Sequence, residues 1–133
     1  MKYYDFEGVL CSQKYYEQYR SAFISKCQEL LDDHNRNNSY RWNSWETEIT
    51  INNGRKYDKL ITENISTDSG DRSNRRVFAF INKTNGDILK PATWNSPAEH
   101  NRGNIYHEDP MLFMGWTGPA YMDAVKRYYG EMQ

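Results

Sequence analysis

Phe78 and Phe80 alternate along a strand-like run, and the segment after them carries Lys90, Trp94, Asn95, Ser96, Arg102 and Asn104. No other stretch of the chain gathers so many residues able to hold a ligand. Aromatic rings stack on nucleobases at ~1–3 kcal/mol each, with little regard for which base is present. Arginine offers a planar fork that suits phosphate. Asn and Ser supply the few oriented hydrogen bonds that a small-ligand pocket needs. Arg55 and Lys56, just after a hairpin turn, add charge if their strand lies alongside. The ligand reading has Phe80 and Trp94 stacking on a purine. Arg55, Lys90 and Arg102 meet phosphates, and Ser96 and Asn104 orient the sugar. The structural reading of the same residues puts Phe80 and Trp94 in the core and makes Arg102 a loop anchor.

Other chemistries find less support. His34, His100 and His107 are scattered, Cys11 and Cys27 are 16 positions apart, and His107-Glu108-Asp109 is not a HExxH motif. No metal site is expected. There is no Gly-x-Ser-x-Gly and no partner for either thiol, although Cys11 lies beside a helix start that would lower its pKa. Asp32-Asp33 reads as a helix end rather than a catalytic pair. Phosphate-cradling glycine loops are absent. The expectation is a binding protein and not an enzyme, with no cofactor.

The elements that must position these residues follow from periodicity. Over 12–34, Tyr16, Tyr19, Phe23, Cys27, Leu30 and Leu31 recur at three- and four-residue steps with Ser12 as N-cap, which predicts an amphipathic helix ending in the polar run 32–38. A hairpin is predicted over 45–62, turning at Asn53-Gly54 in a type I′ turn with positive φ. Residues 64–74 read as a polar, mobile loop. A second hairpin spans 75–90 with its turn at Lys83-Thr84-Asn85-Gly86. In it Val77, Ala79 and Ile81 share one face, and Phe78 and Phe80 the other. A strand apolar on both faces needs two covers, the second from the C-terminal region or another subunit. Residues 91–118 are irregular, and Gly118-Pro119 opens a short helix to about Tyr129, with Tyr121, Met122, Val125, Tyr128 and Tyr129 as its stripe. The fold class is α+β: an antiparallel sheet of two β-hairpins packed on a long N-terminal helix, with a short C-terminal helix.

The length of 133 residues suits one domain. Mean hydropathy is low at −1.00, but 15% of the residues are aromatic, eleven of them Tyr, which points to a thin, ring-rich core and to an oligomer. The net charge of −1, from 17 basic and 18 acidic residues, argues against duplex binding through many phosphates. Nucleic acid is therefore not the expected partner, whereas a small anion needs only two or three cations. No signal-peptide core and no apolar run of spanning length occur, so a cytoplasmic, membrane-free protein is expected.

The stretch from Val77 to Ala98, followed by Arg102-Gly103-Asn104-Ile105 and preceded by Gly54-Arg55-Lys56-Tyr57, resembles a block shared by small bacteriophage proteins. That block runs from an aromatic strand through a Gly-Asp turn into Lys-Pro-Ala-Ser-Trp-like and Arg-Gly-Asn-Ile-like segments, and the match covers about residues 52–106. Among families of known action, the chain resembles the Thoeris anti-defence sponges of phages. These are small, oligomeric, non-catalytic proteins that sequester cyclic ADP-ribose signals made by TIR-domain enzymes. The resemblance implies Arg55 and Phe80 as ligand residues, Arg102 as a phosphate contact, and the infected host's cytoplasm as the setting. Thr93 stands where the block has Ser, and Glu99 and His100 stand where cations are common, so the loop is less basic here. Competing readings are a phage protein that blocks a host protein through its aromatic surface, a single-stranded nucleic-acid binder using the same rings and cations, and a small virion component.

Overall fold

The Ser12 hydroxyl accepts the Tyr15 amide proton at 3.0 Å, satisfying one of the donors that a helix start leaves open. The computed structural model describes residues 1–38 and 44–131. A two-strand ladder, β1 (Tyr3–Tyr4) with β2 (Leu10–Cys11), precedes this cap. Helix α1 (Gln13–Asn38) follows, and Tyr16, Phe23, Cys27 and Leu31 form its buried stripe as the periodicity predicts. The helix runs on to Asn38, the last residue of the polar run in which it is expected to end. Asn35 lies four residues beyond Leu31 on the same stripe, is buried, and donates to Thr47 Oγ1 at 2.9 Å. Arg36 pairs with Asp33, and the Asn38 amide donates to the His34 carbonyl, so the last turns satisfy themselves.

Strands β3 (Trp45–Asn53), β4 (Tyr57–Ser66), β5 (Arg72–Asn82) and β6 (Ile88–Leu89) form one antiparallel sheet in that order. The sheet packs on α1 through Leu60, Phe78, Ala79, Ile81 and Ile88, giving the expected α+β arrangement. The hairpin at Gly86 is as predicted, with φ +79° and its amide bonded to the Asn82 carbonyl at 2.7 Å. The first hairpin turns differently. Asn53 pairs with Asp58, leaving a four-residue turn closed by the Gly54 amide on the Tyr57 carbonyl, and Gly54 does not take a positive φ. Glycine is needed there for another reason: a Cβ would lie 2.3 Å from the Tyr57 oxygen. The predicted 64–74 loop is also shorter, because β4 and β5 keep pairing as far as Ile65 with Arg72.

Two pairing irregularities along β4–β5 matter most. Leu60 pairs with Ala79 but Ile61 with Val77, so Phe78 is an extra residue. A bulge of this kind re-aims side chains. Phe78 joins Ala79 and Ile81 in the helix-facing core, and Phe80 alone of the two rings turns to the opposite face. The predicted grouping of Phe78 with Phe80 is thereby corrected. The second irregularity sets Glu63 against both Asn74 and Arg75, with Asn74 at φ +53°.

β3 is a sheet edge, but Gln28 of α1 covers part of it. Its side-chain amide donates to the Thr47 carbonyl at 2.6 Å and accepts from the Ile49 amide at 3.1 Å, as a neighbouring strand would. After a long irregular segment, β7 (Met114–Gly115) and β8 (Gly118–Pro119) form a small hairpin, and α2 (Met122–Glu131) closes the description. Gly118-Pro119 is thus a strand, not the helix start. β8 lies against the edge of β5, where Gly118 approaches the Phe78 carbonyl. No helix among the described residues is long and apolar enough to cross a membrane.

Cys27 is fully buried, and burial pushes its thiol from the ordinary 9.0 up to about 12. The folded chain therefore keeps a proton that the unfolded chain releases from about pH 9. The stabilising contribution is intact below that pH and is lost as pH rises towards 12. At pH 8 a thiol reagent is expected to modify half-buried Cys11 and to reach Cys27 only after denaturation. Equal native reactivity would contradict this packing.

Candidate ligand-binding site

The residues singled out by sequence divide into two groups. Arg102 is 5% exposed, and its guanidinium donates to the carbonyls of Ala120 at 3.1 Å, Glu99 at 2.7 Å and His100. Burial lowers its pKa. Asn104 donates to the Asn85 carbonyl and Asp87 Oδ1 and accepts from the Tyr106 amide, while burial raises the Asp87 pKa against the bonds from Asn104 and Asn85. Lys90 Nζ donates to the Pro119 carbonyl at 2.9 Å and lies 4.2 Å from the Tyr121 ring centroid. Its pKa is lowered by burial, then by Arg102 and Arg76. These three hold the chain in place. A buried guanidinium or amide needs acceptors and donors, and the irregular backbone supplies them. Arg102, besides this anchoring, borders a hollow of about 520 Å³ with His100, Phe113, Lys126 and Tyr129.

Phe80 is 2% exposed, so it offers no open ring face. Trp94 sits on a turn shaped by Ser96, whose carbonyl accepts from Ala92 and Thr93 and whose hydroxyl meets Thr93 Oγ1 at 2.8 Å. Arg55 is exposed in the β3–β4 turn, four residues or ~13 Å along the strand from Lys59. Phe80 and Trp94 do come together, through Lys59 Nζ at 5.9 and 4.9 Å from their centroids. They form an open surface rather than a hollow.

A concave site on the other face of the sheet was not foreseen. A cleft of about 500 Å³ opens between the last turns of α1, the far ends of β3–β5 and the β7–β8 hairpin. This volume is within the range of small-molecule sites, ~300–1,000 Å³. Its floor is a hydrogen-bonded row: Asn35 donates to Thr47 Oγ1, which donates to Asn64 Oδ1, both at 2.9 Å. Thr47 and Asn64 face each other because they are register partners. One wall is Trp116, half exposed and stacked flat on His34 at 4.3 Å and 7°. Arg76 Nη2 donates to the Trp116 carbonyl at 3.2 Å, and Arg75 reaches the same lip from the irregularity in β5. Neither arginine has a carboxylate partner among the described residues. The cleft can therefore accept a flat ring, two negative charges and several polar edges. A slightly larger hollow of about 580 Å³ beyond Asn35 is bordered by Asp32, Glu46 and Glu48, which would repel an anion.

Gly118 sets the Trp116 wall. It has φ +110°, and a Cβ there would lie 2.4 Å from the Phe78 carbonyl oxygen. Only glycine lets β8 approach β5 this closely. Gly118→Ala is expected to destabilise the fold by at least about 1 kcal/mol and to shift tryptophan emission as Trp116 leaves His34. An unchanged spectrum and melting curve would contradict that role.

One sequence signal for the cleft existed: the four-residue step Phe23, Cys27, Leu31, Asn35, which places a polar side chain on a buried stripe. The other lining residues come from distant parts of the chain. The fold and cleft together define an α+β scaffold with a polar-floored, arginine-lipped pocket. The family of unknown function DUF7717 matches residues 7–122, so the chain belongs to that family. No curated protein and no solved structure matches it.

Proposed function

We propose that this protein binds and sequesters a small nucleotide-type anion of the cyclic ADP-ribose kind and leaves it chemically unchanged. The observation that carries this reading is the cleft, in which Trp116, the Arg75–Arg76 pair and the Asn35–Thr47–Asn64 row converge. A base stacks on Trp116, phosphates meet the arginines, and sugar hydroxyls reach the amides. Sequestration rather than turnover fits the chemistry of the lining. Among the described residues it contains no carboxylate and no thiol, and its one imidazole, His34, is packed under Trp116. General acid–base catalysis needs a proton-transfer group within reach of the reacting atoms. The resemblance to phage Thoeris anti-defence sponges favours the same class of ligand and an anti-defence role in the infected cell.

Mass spectrometry of the protein as purified from cells tests the reading. Under native conditions it is expected to show one phosphate-bearing small molecule per cleft, released intact on denaturation. A protein that stays at its apo mass after incubation with cyclic ADP-ribose, ADP-ribose and mononucleotides would overturn it.

A further inference from the structure

Strand register places Tyr57, Lys59 and Ile61 of β4 on the face away from α1, with Phe80 opposite Lys59. Ile61 and Phe80 are both 2% exposed and form an apolar floor. Trp94 has 41% of its surface open and lies between Lys59 Nζ at 4.9 Å and Arg75 Cζ at 5.1 Å. Lys56 Nζ lies 5.3 Å from the Tyr57 ring centroid. Of the carboxylates on the same face, Glu48 and Glu63 are engaged by Arg72 at 3.3 Å each, and Glu46 stands farther along β3 from Lys59. Lys56, Lys59 and Arg75 have no ion-pair partner among the described residues. A net charge of −1 thus conceals a strip on which positive charge is unneutralised.

We propose that this strip, from Lys56 through Lys59 and Trp94 to Arg75, binds single-stranded nucleic acid. It lies on the face opposite the cleft and shares with it only Arg75, whose guanidinium sits over the Trp94 ring. The shape decides between ligands. An open surface cannot enclose a mononucleotide, but a polymer gains at each successive phosphate while a base stacks on the exposed ring. Duplex is disfavoured because its bases are already stacked and Trp94 has nothing to receive. The cations lie against rings rather than carboxylates, so a base that enters displaces a flexible side chain towards the adjoining phosphate.

Fluorescence anisotropy with a labelled 15-residue oligothymidylate tests this, using the full chain at 20–200 mM salt. Three phosphate contacts predict a slope of log K against log salt near −2, at about 0.7 per contact for single strands. Lys56→Ala/Lys59→Ala is expected to lower the slope by about 1.4. Trp94→Ala is expected to weaken binding by about tenfold at unchanged melting temperature, while Trp94→Phe keeps most of the affinity. Trp116→Ala in the cleft is expected to leave oligonucleotide binding unaltered, so the two sites fail or stand separately. No binding at 20 mM salt would overturn the proposal. So would binding that ignores Trp94→Ala and is competed equally by duplex, which is plain electrostatic attraction.

Discussion

Replacing Asp58 with alanine is expected to destabilise the fold by about 3–5 kcal/mol, the cost of removing one partner from a buried ion pair. Asp58 is fully buried where α1 crosses β4. Its Oδ2 accepts from the Tyr16 hydroxyl at 2.7 Å and from Arg20 Nη1 at 2.8 Å, and Lys83 Nζ stands 3.8 Å from Oδ1. Without the carboxylate, Tyr16 and Arg20 lose their acceptor in a site from which water is largely excluded. Burial, followed by the bond to Asp58, pushes the Tyr16 pKa up, so the phenol remains a neutral donor. Asp58→Asn keeps an acceptor for Tyr16 and removes the charge that faces Arg20, so an intermediate loss is expected. Urea unfolding measures both variants. A fall in midpoint at constant m-value is the expected signature, and a loss below about 1 kcal/mol for Asp58→Ala would show that the pair does not clamp helix to sheet.

The second large effect concerns the cleft. Trp116→Ala removes the ring on which a base would stack, worth ~1–3 kcal/mol, and Arg76→Ala removes a charge-assisted contact worth ~1.5–3 kcal/mol. Each variant is expected to lose roughly tenfold or more in affinity for a nucleotide-type ligand at near-normal stability, because Trp116 is half exposed and Arg76 is a surface residue. Trp94→Ala, on the opposite face, is expected to leave that affinity unchanged. Calorimetric titration of the three variants separates them. Equal losses in all three would mean that the ligand does not occupy the cleft.

Much of the fold was legible because it follows from local period and turn chemistry. The α1 stripe, the Ser12 cap and the Gly86 turn each rest on residues within a few positions of one another. What was not legible depends on distant partners. The bulge at Phe78 has no local mark, and it reverses the face that alternation assigns to that ring. Asn35, near the end of α1, meets Thr47, a residue on another element. The candidate site fared worse for a physical reason. Arginine and asparagine that anchor a backbone are the same residues that would grip a phosphate or a sugar. Arg102 and Asn104 are consumed by backbone groups of Asn85, Glu99, Tyr106 and Ala120. The cleft combines Asn35, Thr47, Asn64, Arg76 and Trp116 from separate stretches of chain, with no spacing that announces them. Lys59 gave a partial signal: neither face of its strand is purely apolar.

Thermal melting with cyclic ADP-ribose, followed by recovery and mass analysis of the ligand, tests the central claim most directly. A ligand held only by the folded protein raises stability by RT ln(1 + [L]/Kd), about 2.7 kcal/mol at a hundredfold excess over Kd. The predicted result is a saturable rise in melting temperature that disappears in Trp116→Ala and Arg76→Ala, with the ligand recovered at its original mass. A rise that persists in both variants, or a ligand returned hydrolysed, would contradict sequestration in the cleft.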